Sequence, residues 1–253
     1  MAIRIGDTLG GGIGRAFTYS GLVLMALLFV YQVIFTIAVN SLLLRYLPSE
    51  AAESSQFVLS APIPPAVAGA GVVAGLLFGA VLYLVAARAL TREREALDSL
   101  PAALFTRRIG RATLSAVGAN LVVGVAVFVG FLLLVVPGVY LAISFLFAVF
   151  VVGVEDARAV DALRRSWALA GGNRWRLLAL VVVVAVATGV ASSVASALSL
   201  VSPAAGELLS LAVSAMFGVV GYGVFAEAYL RLVDGPDGGK GAGAPAPEAD
   251  PAA

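Results

Sequence analysis

From Ala112 to Val154 the chain runs 43 residues without one Asp, Glu, Lys or Arg. As a single helix this run would be about 65 Å long, at roughly 1.5 Å per residue, or about twice the hydrocarbon thickness of a bilayer. A bilayer accepts such a run only folded in two, with every backbone group bonded inside a helix. Pro137-Gly138 is the natural turn, because Pro and Gly interrupt helices. The stretch therefore predicts two membrane spans, 112–136 and 138–154.

The same reading elsewhere predicts spans at 21–44, 63–90, 177–200 and 208–233, six in all. The expected fold is an all-α polytopic membrane bundle of six transmembrane helices with cytoplasmic amphipathic interfacial helices. Composition agrees: 61% of residues are hydrophobic and 12% charged, against about 45–50% and about 25% in soluble domains. Residues 1–20 are too polar to span and predict a short surface helix; the segment after Pro101 predicts another. The first span reads as an uncleaved anchor, too long for a signal-peptide core. Residues 234–253, rich in Gly, Ala, Pro and acids, read as a disordered cytoplasmic tail.

Charge sets the expected topology. Six spans put both termini on one side, and fifteen of the sixteen Lys and Arg residues fall on that side, leaving Arg45 alone on the other. The positive-inside rule then predicts a cell-membrane protein with both termini cytoplasmic. The chain has no Cys and no His, which removes thiol chemistry and the commonest general base and metal ligand. The expectation is a non-enzymatic protein with no cofactor, no metal and no nucleic-acid partner.

Between residues 137 and 176 an apolar span gives way to a charged, two-faced segment. Residues 156–170 predict a helix lying along the cytoplasmic surface, with Val160, Leu163 and Trp167 on its protected side. Arg158, Arg164 and Arg165 would lie near lipid phosphate, and Asp161 is spaced to pair with Arg165. With Trp167, Arg174 and Arg176 these arginines are the candidate headgroup or partner contacts.

Pro137-Gly138-Val139-Tyr140-Leu141, Glu155, Ala162-Leu163-Arg164-Arg165-Ser166-Trp167, Gly172 and Trp175-Arg176 resemble the signature of the glycerophosphoryl diester phosphodiesterase membrane-domain family and related six-span prokaryotic proteins. The resemblance covers about 40 residues. It implies an integral membrane domain. It does not bring the diesterase activity with it, because six spans leave no room in this sequence for a catalytic barrel.

Polar residues line up within two spans: Gln32, Thr36 and Asn40 on the first, Thr188, Ser192 and Ser196 on the fifth. They predict either interhelical hydrogen bonds or one polar cavity. Glu227 is the main intramembrane acid, and Arg231, four residues on, is its expected partner. Arg88, near the far end of its span, is able to snorkel. Small residues at Gly71/Gly75/Gly79, at Ala185/Gly189/Ser193/Ala197 and at Ser210/Ser214/Gly218 predict close helix contacts.

An Asp-x-Leu triplet and a later Arg-small pair precede each hairpin. They are 8, 13 and 4 residues apart, which leaves a threefold repeat and a coincidence both open. The functional expectation is a structural or accessory protein engaging membrane lipids or a membrane partner. The alternative is a small-solute or lipid transporter working through the two polar faces.

Overall fold

The computed structural model describes residues 4–48 and 57–234, so the expected tail beyond Asp234 lies outside the described residues. Within them the secondary structure is helical. The helices are α1 (Ile5–Ala16), α2 (Tyr19–Tyr46), α3 (Pro65–Leu90), α4 (Ala103–Thr106), α5 (Ile109–Leu133), α6 (Val135–Ser144), α7 (Ala148–Glu155), α8 (Ala159–Ala170), α9 (Arg174–Ala197) and α10 (Pro203–Val233). Six segments are long and apolar enough to cross a membrane: α2, α3, α5, the α6–α7 pair, α9 with its last turn, and α10. Local chemistry sets the ends. Thr18 caps α2 by accepting from the Gly21 N–H, and Ser202 caps α10 through the Ala205 N–H. Pro65 and Pro203 open α3 and α10, where a missing N–H costs nothing.

The helices group into three units, each a short helix followed by two long segments: α1 with α2 and α3, α4 with α5 and α6–α7, α8 with α9 and α10. Each short helix packs on the second span of the preceding unit, α4 on α3, α8 on α7, and α1 on α10, which closes the ring. First spans follow the same rule: α5 packs on α3, α9 on α6, and α2 on α10. The repeat left open by the sequence is thus present as a cyclic arrangement of contacts.

Second spans form the interior. In their most apolar windows 33, 44 and 28% of residues are buried, against 17, 17 and 11% in the first spans. An aromatic chain ties the interior together, from Tyr83 to Tyr222 (5.3 Å between ring centres), Tyr222 to Phe150 (5.5 Å) and Phe150 to Tyr229 (5.8 Å). Offset and stacked rings of this kind add to simple burial.

Small residues decide where backbones meet. A Cβ on Gly12 would strike the Val224 backbone, and one on Gly223 would strike the Gly12 carbonyl. On α3, Gly71, Gly75 and Gly79 face Ala38, Phe35 and Tyr31 of α2. The fifth-span face expected to pack, Ala185/Gly189/Ser193/Ala197, instead points outward. α9 is a peripheral span and meets its neighbours through Leu177, Leu180 and Ala195. On α10, Ser214 is exposed and Gly218 has open space beside it, whereas Gly206, Ala215, Val219, Gly221 and Gly223 are buried.

The turn between the third and fourth spans sits at Leu134, not at Pro137-Gly138. Pro137 occupies the first turn of α6, and Gly138 is used instead for close contact with Gly130. Gly75→Leu should lower folded yield and melting temperature in detergent, because its side chain would enter the space of the Phe35 ring. Gly189→Leu, which meets nothing within 4 Å, should leave both unchanged.

Candidate functional site

Three clusters of charge sit at the ends of the second spans. In the first, Arg15 of α1 donates its Nε to Glu227 Oε2 at 2.8 Å and its terminal nitrogen to the carbonyls of Leu90 (3.1 Å) and Arg92 (2.6 Å). The other oxygen of Glu227 accepts from Arg231 at 3.0 Å. The expected Glu227–Arg231 pair is present, and Arg15 joins it from the far end of the chain. Both Arg15 and Glu227 are buried.

Arg88 does not snorkel. It is 7% exposed and donates to the carbonyls of Gly153 (2.8 Å), Leu104 (3.2 Å) and Arg107 (2.9 Å), with Asp156 at 3.4 Å. Those carbonyls lie at or near the C-terminal ends of α7 and α4, where helices have acceptors to spare. Arg107 meets the other oxygen of Asp156 at 2.8 Å. In the third cluster, Glu155 accepts from the Tyr229 hydroxyl at 2.7 Å and pairs with Arg165 at 3.5 Å, so Arg165 turns to Glu155 and not to Asp161.

The fourth span is broken at residues 145–147, between α6 and α7. The Ala148 N–H bonds back to Phe145 O, which releases Ser144 O, and the Phe147 N–H is also left without its helical acceptor. One hydroxyl repairs both. Ser166 of α8, fully buried, accepts from the Phe147 N–H at 3.1 Å and donates to Ser144 O at 3.0 Å. Beside this bridge, Arg174 donates its Nε to Ser144 Oγ at 3.2 Å. Its guanidinium lies over the Tyr140 ring (4.5 Å) and the Trp167 ring (5.0 Å). A groove of about 510 Å³ with almost wholly apolar walls runs between α6 and the start of α9, and Arg174 lines it.

The face of α8 that packs on the bundle is not the one that carries Val160, Leu163 and Trp167. Ala162, Ser166, Leu169 and Ala170 are buried, whereas Val160 is 59% exposed and Trp167 38%. α8 packs against α5, α6, α7 and α10, and small side chains let it approach. Arg158, Arg164 and Arg176 are exposed and make no ion pair among the described residues; Arg176 donates only to Asn173 Oδ1 at 3.3 Å.

The polar stripes are not brought together. Gln32 and Thr36 are half-buried on α2, and Asn40 donates to Leu59 O (3.0 Å) and Glu207 Oε1 (3.4 Å). On α9, Thr188 and Ser196 return their hydroxyls to Val184 O and Ser192 O. Both α2 and α9 pack against α10 rather than facing one another.

A family model described as a domain of unknown function, DUF7847, matches residues 3–232, from before α1 to the last turn of α10. The chain belongs to that family. No curated protein and no solved structure matches it. The DUF7847 match takes in all three units, including both short helices that supply Arg15 and Ser166.

Sequence reasoning gave no site role to Arg15, Arg88, Tyr140, Ser144 or Ser166. The available signal was the small-residue line Ala162/Ser166/Ala170, which in a membrane protein marks the packed face. Ser166→Ala should orphan a buried donor and a buried acceptor and cost about 1–3 kcal/mol, seen as a lower melting temperature in detergent. Ser193→Ala, whose hydroxyl bonds within its own helix, should change it little. Glu227→Ala leaves Arg15 buried without its partner and should cost about 3–5 kcal/mol in the same assay.

Proposed function

We propose that this is a non-enzymatic protein of the cell membrane, both termini cytoplasmic, whose α8–α9 corner engages anionic lipid. The observation that carries the reading is how the arginines are used. Arg15, Arg88, Arg107, Arg165 and Arg231 each pair with an acid of the bundle, some buried and some at its surface. Arg158, Arg164, Arg174 and Arg176, at or on α8 and at the start of α9, make no ion pair among the described residues, as is also true of Arg45, Arg92, Arg94, Arg108 and Arg111. What sets these four apart is that the chain's two tryptophans, Trp167 and Trp175, lie on the same two helices, with Arg174 over the Trp167 ring. Arginine and tryptophan together suit the boundary between headgroups and hydrocarbon.

The fifteen-to-one distribution of Lys and Arg supports placing that corner on the cytoplasmic side, where anionic lipid attracts basic segments. The absence of His and Cys supports a non-catalytic role. The likeness of residues 137–176 to the phosphodiesterase membrane domain supports a membrane-embedded role and lends no diesterase activity.

Each arginine near an anionic surface contributes about 1 kcal/mol. Replacing Arg158, Arg164 and Arg176 by Gln together should therefore cut retained anionic lipid roughly tenfold or more, measured by native mass spectrometry from mixed-lipid nanodiscs. The wild-type enrichment should also fall as salt rises. Equal retention by the triple variant would refute the reading.

A further inference from the structure

We propose that the groove between α6 and the start of α9 binds one anionic glycerophospholipid, its phosphate on Arg174 and an acyl chain along the apolar wall. This rests on the lipid-engaging reading above and narrows it from a charged surface to a built site.

Arg174 is held for the task. Its Nε is fixed by Ser144 Oγ at 3.2 Å, and that hydroxyl is itself anchored on Tyr140 O at 2.8 Å. The guanidinium lies against two aromatic faces. Among the described residues no acceptor takes its terminal nitrogens, and no acid pairs with it. A guanidinium oriented by Nε and stacking presents parallel N–H groups, the geometry that matches two phosphate oxygens. The conformational entropy of the side chain is already lost before a ligand arrives, so less is lost on binding.

The backbone at the same place favours an anion. Gly172 takes a φ of +76°, a conformation suited to glycine, and carries the chain into α9. Asn173 gives the α9 N-terminus no side-chain cap, its Oδ1 being occupied by Arg176. The positive end of the helix dipole therefore adds to the Arg174 charge.

The rest of the groove is apolar: Val135, Val136, Val139, Ile143 and Leu178, with Trp175 beside them. At about 510 Å³ it lies within the roughly 300–1,000 Å³ of ordinary ligand sites. An apolar slot next to one fixed cation calls for an amphiphile with an anionic head. A free phosphate would leave the slot without an occupant, and a zwitterionic lipid brings a cation that offsets the attraction.

Both tryptophans of the chain sit at this site, so their fluorescence reports on it directly. The test uses nanodiscs of phosphatidylcholine containing a small mole fraction of dibrominated phosphatidylglycerol, or the same fraction of dibrominated phosphatidylcholine. Bromine on the acyl chain quenches tryptophan at contact. The anionic lipid should quench several-fold more, and the excess should vanish in Arg174→Gln. It should also vanish in the double variant Val135→Phe/Val136→Phe, which keeps every arginine and alters only outward-facing residues (65% and 78% exposed).

Equal quenching by the two lipids overturns the site, and so does an excess that survives either variant. An excess that survives both but is lost in the Arg158/Arg164/Arg176 triple variant leaves the surface reading standing and removes the groove. Equal quenching together with unchanged lipid retention in the triple variant removes both.

Discussion

Helix ends leave backbone carbonyls without a partner inside the helix, and arginine side chains answer for five of them here. Arg15 takes the carbonyls of Leu90 and Arg92 after the end of α3. Arg88 takes Gly153 O near the end of α7 and Leu104 O and Arg107 O at α4. In each case the side chain comes from a different helix than the acceptor, so satisfying the backbone also fixes how elements sit together. Lysine, with a single ammonium on a mobile stem, could not reach three carbonyls in a plane. The near-exclusive use of Arg, with Lys240 the one lysine, has a structural counterpart at these two positions.

The number and order of spans were legible because hydropathy depends only on composition along the chain. Their faces were not. Reading α8 as an amphipathic helix on the membrane surface made Val160, Leu163 and Trp167 its protected side, yet the line buried against the bundle is Ala162, Ser166 and Ala170. In water, burial favours large apolar side chains. Where lipid replaces water, large ones can face outward at no cost and close approach favours small ones. The same inversion makes the small face of α9 uninformative, since a peripheral helix touches neighbours along only one edge. Glu227 was legible through Arg231 four residues away, whereas Arg15 lies 212 residues distant and no local pattern announces it.

Unequal spacing hid the threefold arrangement. The short helices end three, three and four residues before the next span opens, but the Arg-small pair lies in the short helix in the first and third units and inside α5 in the second. What the units share is a relation of contact, short helix to preceding second span, with Arg165 on Glu155 and Arg15 on Glu227 as matching pairs. The middle unit departs from it: the second span that precedes it, α3, ends in Arg88 rather than an acid, and the acid is Asp156, just after α7 of the middle unit itself.

That cyclic closure has a consequence in time. Among the described helices α1 comes first in the chain and α10 last, yet they pack on each other through Gly12, Gly223 and the Arg15–Glu227 pair. At about 5–20 residues per second, the 212 residues between those partners take roughly 10–40 s to synthesise. Throughout that interval the Gly12 face of α1 lacks its packing partner and Arg15 lacks its acid. The ring cannot shut until α10 has been made, so assembly of this bundle is ordered by the ribosome as much as by its contacts.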